Sequence, residues 1–133
     1  MRRLTLDVRP GEYTVARLSP EAEPPVDLLS AGDALVSITR TGTELSVVCP
    51  SGLWSREDGR AEHGWRLLSV RGPLEFTLTG ILAVLSSELA AAGVGLFALS
   101  TYDTDHLLVK QTDLERAVQA LHASGHEVHT EFG

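Results

Sequence analysis

Polar side chains fill the turn between two apolar runs in the segment LSTYDTDHLLV, residues 99–109. The turn carries two hydroxyls, Thr101 and Thr104, and two carboxylates, Asp103 and Asp105. Turns often contain Asp and Thr because these side chains bond the local backbone. Asp105, however, lies where the second strand should already have begun, and strands are depleted in aspartate. We therefore interpret Asp103 as a turn residue and Asp105 as a candidate partner for an ammonium group.

A predicted helix start offers the opposite charge. The segment LTGILAVLSSELAAAG, residues 78–93, has apolar residues at helical spacing and a glycine at its end. Its first turn would present unpaired backbone N–H groups and the positive end of the helix dipole, with Thr77 and Thr79 as nearby hydroxyls. Such an end suits a small carboxylate. Backbone N–H donors that bind a carboxylate, together with an acidic side chain that binds an ammonium group, would form a site for an α-amino acid.

The second half of the chain predicts the elements that would position these groups. The segments, in chain order, are a strand at 65–72, a helix at 78–93, strands at 94–101 and 106–110, a helix at 113–125 and a strand at 126–132. This βαββαβ order is that of ferredoxin-like domains. Within one such sheet the helix start and the hairpin need not adjoin, so we expect two packed units to bring them together.

The first half predicts a similar unit with less helix. Strands at 3–8 and 12–18 precede a proline-rich segment with room for about one helical turn, and a hairpin turns around Thr41-Gly42. With a shift of 61 residues, Thr39–Glu44 aligns with Ser100–Asp105, so that Glu44 recurs as Asp105. We therefore predict an α+β protein of two ferredoxin-like units, 1–60 with shortened helices and 61–133.

Composition excludes several classes of function. The chain has 133 residues, 43% of them hydrophobic, and a net charge of −7 without a basic face, which argues against nucleic acid. No segment is long and apolar enough for a signal peptide or a membrane span, so we expect no membrane partner. A single cysteine, Cys49, suits the reducing cytoplasm. The expectation is a cytoplasmic globular protein.

Other chemistries lack the residues they need. His122, His126 and His129 have a spacing reminiscent of metal ligands, but Gly125 interrupts the helix between them, so we expect no metal. No phosphate loop, G-x-G-x-x-G or G-x-S-x-G motif occurs, so we expect no cofactor. Glu75 or Asp105 could act as an acid–base group, yet no nucleophile-and-base couple supports an enzyme.

Four segments also carry a family resemblance. They are RTGTELSVVC, W…VRGPLEFTLTGIL, STYDTDHLLV and LERAVQALHASGHEV. Together they resemble the small bacterial tandem-ACT-domain proteins, which are related to the ACT domains of aspartate kinase and of the eukaryotic cytosolic arginine sensors. The resemblance implies the βαββαβ fold, amino-acid binding at interfaces between units, and a regulatory role without catalysis. It also implies a homodimer and an unidentified regulated protein as partners.

The resemblance further implies which residues line the ligand site. From the loop after the first strand and the helix start these are Gly72, Pro73, Leu74, Phe76, Thr79, Gly80 and Ile81. From the hairpin they are Ser100, Thr101, Tyr102, Thr104 and Asp105, and from the partner unit Ser37, Ile38, Thr39 and Glu44. The function that follows is non-catalytic sensing of a small amino acid. The alternative is an interaction or self-association module without a ligand.

Overall fold

The computed structural model describes residues 3–72 and 80–130. Within these residues the chain forms eight strands, two α-helices and three short 3₁₀ turns. The strands are β1 (Thr5–Val8), β2 (Tyr13–Leu18), β3 (Ser37–Arg40), β4 (Leu45–Pro50), β5 (Arg60–Val70), β6 (Leu96–Ser100), β7 (Asp105–Lys110) and β8 (Glu127–Thr130). The helices are α1 (Ile81–Ala91) and α2 (Leu114–Ala123), and the 3₁₀ turns are Val26–Ser30, Ser51–Leu53 and Gln111–Asp113.

The chain divides into two compact units. The split unit comprises Met1–Pro10 together with Arg66–Gly133. The other unit, Gly11–Trp65, lies between these two segments in the sequence and is called the inserted unit. The predicted limits of 1–60 and 61–133 stay a prediction about domains. In the structure the first strand of the chain packs with the carboxyl-terminal elements.

The inserted unit is a ferredoxin-like sheet with reduced helices, as predicted. Its strand order is β3-β4-β2 followed by the first half of β5, with all neighbours antiparallel. The two 3₁₀ turns at Val26–Ser30 and Ser51–Leu53 stand where a full ferredoxin-like unit has helices. The core of this unit is correspondingly small, and its buried members are Leu18, Leu28, Leu45, Val47 and Cys49.

The split unit has the predicted βαββαβ order and one further strand. Strand β7 lies beside β5 and pairs antiparallel with β6. On the other side of β5, β1 pairs antiparallel with β5 and parallel with β8. The first strand of the chain thus lies between the first and last strands of the carboxyl-terminal βαββαβ unit.

Both helices cover one face of the split unit's sheet. Helix residues Leu85, Leu89, Ala117 and Leu121 are fully buried against strand residues that include Leu6. Two glycines end the helices as the sequence predicts. The N–H of Val94 bonds the Leu89 carbonyl behind Gly93, and the N–H of His126 bonds the Leu121 carbonyl behind Gly125. These are Schellman closures, and both glycines have the positive φ that such closures favour.

His126 anchors the amino-terminal strand. The Leu4 N–H donates to Nδ1 of His126 at 3.0 Å, so the proton of the ring lies on Nε2, which donates to Glu88 Oε1 at 2.9 Å. The His126 side chain is completely buried. One neutral imidazole therefore joins the start of β1, helix α1 and the start of β8.

Gly59 is required by the backbone that leads into β5. Its φ is +85°, and a Cβ added there would lie 2.3 Å from the Arg17 carbonyl oxygen. We expect Gly59→Ala to lower the free energy of unfolding by about 2–4 kcal/mol, because both the conformation and the contact oppose a side chain. Urea denaturation measures this change. Gly42→Ala is the matched control, since a Cβ there meets nothing within 4 Å; equal losses in the two variants would contradict the assignment.

Candidate ligand-binding site

The hairpin between β6 and β7 is a closed four-residue turn. Its backbone bond runs from the Thr101 N–H to the Thr104 carbonyl at 2.8 Å, and the Thr101 hydroxyl donates to the same carbonyl at 3.1 Å. Ser100 and Asp105 face each other across the ends of the strands, and the Ser100 hydroxyl donates to Asp105 Oδ1 at 2.5 Å. The half-buried Asp105 carboxylate is therefore held in place at the mouth of the hairpin.

This hairpin lies directly beside the end of β5. The Thr104 hydroxyl donates to the Val70 carbonyl at 2.7 Å, and a 2.8 Å hydrogen bond joins Ser69 Oγ to His106 Nδ1. In these contacts β7 runs antiparallel to β5, so the start of β7 lies beside the end of β5. The hairpin thus adjoins the end of β5, the strand that leads into the βα junction, and the junction itself at residues 73–79 lies outside the described residues. Gly72, where the predicted carboxylate loop begins, follows Val70 by two residues.

An ion pair fixes the backbone where β5 ends. The Arg71 guanidinium donates to both carboxylate oxygens of Asp7, at 2.6 and 3.2 Å, and the Arg71 N–H donates to the Thr5 carbonyl. The hydrogen bond from Arg71 lowers the pKa of the Asp7 carboxyl, against the opposing effect of burial. Both contacts hold the backbone at Arg71, directly before Gly72, against β1.

The Asp7–Arg71 pair predicts a pH dependence of stability. A carboxyl whose pKa is lowered by folding stabilises the folded state above its unfolded pKa and loses that contribution as pH falls through the folded pKa. We expect Asp7→Asn to cost about 1–3 kcal/mol at pH near 7, and the two stability curves to approach each other as the pH falls below the ordinary aspartate value of 3.8. Urea denaturation at both pH values measures this.

Asp113→Asn is the matched control for that experiment. Asp113 also binds an arginine, Arg116, at 2.6 Å, but both side chains are more exposed than Asp7. We expect a change of at most about 0.5 kcal/mol there. A loss for Asp7→Asn that is equally large at low pH would contradict the electrostatic origin.

The remaining site residues predicted from 61–133 fall into three groups. Pro73, Leu74, Phe76 and Thr79, with Glu75 and Thr77, lie outside the described residues. Gly80 precedes α1 in a left-handed conformation, with φ of +80°, and Ile81 packs against the core. Tyr102 projects from the tip of the hairpin with 81% of its surface exposed.

The four residues predicted to come from a partner unit lie in the inserted unit. Ser37, Ile38 and Thr39 belong to β3, where Ile38 packs against that unit's core, and Glu44 lies in the turn that follows. Their use in one site with Asp105 stays a prediction.

The two hairpins match in a register that differs from the predicted one. Turns 41–44 and 101–104 close by the same bond, from the N–H of the first residue to the carbonyl of the fourth, which corresponds to a shift of 60 residues. Glu44 is therefore the last residue of its turn, whereas Asp105 follows its turn. The interpretation that Glu44 recurs as Asp105 is wrong, because it matched residue chemistry while backbone pairing sets the register.

Sequence reasoning missed a polar row that borders the hairpin. Asp7 lies opposite Ser69 and His129 across the strands, and Ser69 binds His106. Burial and the nearby Arg9 charge lower the pKa of His106, so its ring is neutral at neutral pH. The sequence could have identified Asp7, because an aspartate inside the apolar run RLTLDV is unusual in a strand, as it is at Asp105.

No group of three or more His, Cys, Asp or Glu side chains in residues 3–72 and 80–130 is placed to hold a metal ion. Burial raises the pKa of the Cys49 thiol, which leaves it a poor nucleophile. In the same part of the chain, neither helix has the length and apolar character that crossing a membrane requires.

Comparison with known proteins places the chain in a family. A model of the ACT domain matches residues 60–123, and a model of a separate N-terminal domain matches residues 11–53. The crystal structure of an Agobacterium tumefaciens protein is 39% identical, covers 98% of this chain and 96% of its own, and superposes with a TM-score of 0.87. This chain is an ACT-domain protein. The ACT match includes the hairpin strands β6 and β7, their neighbour β5, and both α-helices.

A further solved structure shares the fold, and a curated protein matches part of the sequence. The regulatory subunit of aspartate kinase from Thermus thermophilus is 12% identical with a TM-score of 0.62, over 93% of this chain and 97% of that one. The human protein named cytosolic arginine sensor for mTORC1 subunit 1 is 34% identical over 58 residues. That match covers 43% of this chain and 18% of the sensor, so the chain matches only about a fifth of the length of these curated relatives.

Proposed function

We propose that this ACT-domain protein is a non-catalytic regulatory protein that binds an amino acid where β5 ends beside the β6–β7 hairpin. The observation that carries the proposal is the 2.7 Å bond from the Thr104 hydroxyl to the Val70 carbonyl, with Asp105 as the next residue. This bond joins the predicted ammonium-binding hairpin to the strand that leads into the predicted carboxylate-binding loop.

Each end of an amino acid has a suitable partner in this arrangement. Asp105, already oriented by Ser100, can accept charge-assisted hydrogen bonds from an α-ammonium group. Helix α1 begins after Gly80 without a hydrogen bond from a capping side chain in the described part of the chain. Its first N–H groups and the helix dipole suit a carboxylate.

The charges at the hairpin favour a ligand with a cationic side chain. Asp103 and Asp105 both lie there, whereas the neighbouring Arg71 is engaged by Asp7. The name of the curated relative, an arginine sensor, agrees with this direction. We therefore propose arginine or lysine as the first ligands to test.

The wider context belongs to the same proposal. Ser37, Ile38, Thr39 and Glu44 would complete the site from a second ACT-like unit, with 1–60 and 61–133 as the two domains. Binding would act in the cytoplasm, through a homodimer or a regulated protein, and without catalysis or a cofactor. A ligand-free interaction module is the second candidate, and the exposed Tyr102 at the hairpin tip favours it.

A thermal-shift screen against the proteinogenic amino acids tests the proposal. A ligand that binds the folded state with millimolar affinity should raise the melting temperature by a few degrees at about tens of millimolar. We expect the increase for one or a few amino acids, arginine or lysine among them, and we expect Asp105→Ala to abolish it.

Glu115→Ala is the matched control, since it removes an exposed carboxylate from helix α2 instead of from the hairpin. It should retain most of the shift. A flat screen of the wild-type protein would instead favour the interaction module. A shift that survives Asp105→Ala would contradict the assigned ammonium site.

A further inference from the structure

The 3₁₀ turn at Val26–Ser30 presents an unusual surface. Its residue Leu28 is buried in the core of the inserted unit, whereas Val26 and Leu29 are 61% and 58% exposed. Because a 3₁₀ helix has three residues per turn, residues i and i+3 lie on the same side. Val26 and Leu29 therefore form one exposed apolar ridge, which we call the Val26–Leu29 face.

The segment that carries this face is acidic. Glu21, Glu23, Asp27 and Asp33 occur in the segment 19–39, which contains no lysine, arginine or histidine. The Arg56 guanidinium contacts this segment by donating to the Glu23 carbonyl, and it also donates to both carboxylate oxygens of Asp58. Arg56 thus fastens the acidic segment in place, and its charge is offset by Asp58 in the adjacent Glu57–Asp58 pair.

Exposed apolar residues within a segment of one sign of charge indicate a recognition surface. We propose that the Val26–Leu29 face binds a basic amphipathic helix of a partner protein. Three residues of a 3₁₀ helix rise about 6 Å, close to the roughly 5.4 Å pitch of an α-helix. The two side chains can therefore fit between leucines spaced at i, i+3 and i+4 on the partner, while its lysines and arginines meet the flanking carboxylates.

The charges also discriminate between occupants. Anionic lipid would be repelled by the carboxylates, and a second copy of the chain carries a net charge of −7. The face lies in the inserted unit and does not depend on the proposed amino-acid site, so the two can be tested separately.

A fluorescein-labelled helical peptide of leucine and lysine at amphipathic spacing is the probe, and anisotropy in about 0.15 M salt is the measurement. We expect micromolar binding to the full-length protein. The double variant Val26→Ser/Leu29→Ser should bind at least about tenfold more weakly, because the ridge is lost. Its melting temperature should be unchanged, since both side chains are already exposed in the folded protein.

Three comparisons make the result specific. Asp27→Asn should weaken binding several-fold and reduce its salt dependence, whereas Glu115→Gln, which changes an exposed residue of the split unit, should leave both unchanged. A peptide of the same composition in scrambled order should bind poorly. Equal binding by the double variant or by the scrambled peptide would overturn the proposal, as would wild-type dimers that the double variant converts to monomers.

Discussion

The structure of the split unit depends on the pairing of β1 on both its edges. One edge bonds β5 antiparallel and the other bonds β8 parallel, so four residues at the start of the chain join the first and last strands of the βαββαβ unit. Loss of this strand would leave both neighbours with unpaired backbone groups inside the sheet, which is costly. His126 adds a further anchor by accepting the Leu4 N–H from a fully buried position.

The proposed site depends on the same strand. Arg71 is held to β1 through its backbone and its side chain, and it lies between the end of β5 and Gly72. On the opposite edge of β5, Thr104 holds the hairpin to the Val70 carbonyl. The strand end is therefore fixed from both sides, which is the preorganisation that a site for a small, polar ligand requires.

The sequence predicted those features that local chemistry determines. Periodicity and the glycines at 93 and 125 gave the order of elements in the second half, and the short proline-rich segment indicated the reduced helices of the first. Partner choice could not be predicted in the same way, because a strand such as β1 has the same pattern whichever neighbours it pairs with. The register of the hairpins was missed for a related reason. An alignment shifted by one residue from the true backbone register matches Glu44 with Asp105, because both are acidic, although the two residues occupy different positions relative to their turns.

The central claim is that an amino acid binds where β5 meets the β6–β7 hairpin. Amide chemical shifts recorded during titration with arginine, and then lysine, test it most directly. We expect saturable changes concentrated at residues 100–105 and at Gly72, with the 3₁₀ turn Ser51–Leu53 unaffected. Changes confined to other parts of the chain, or none with any amino acid, would contradict it.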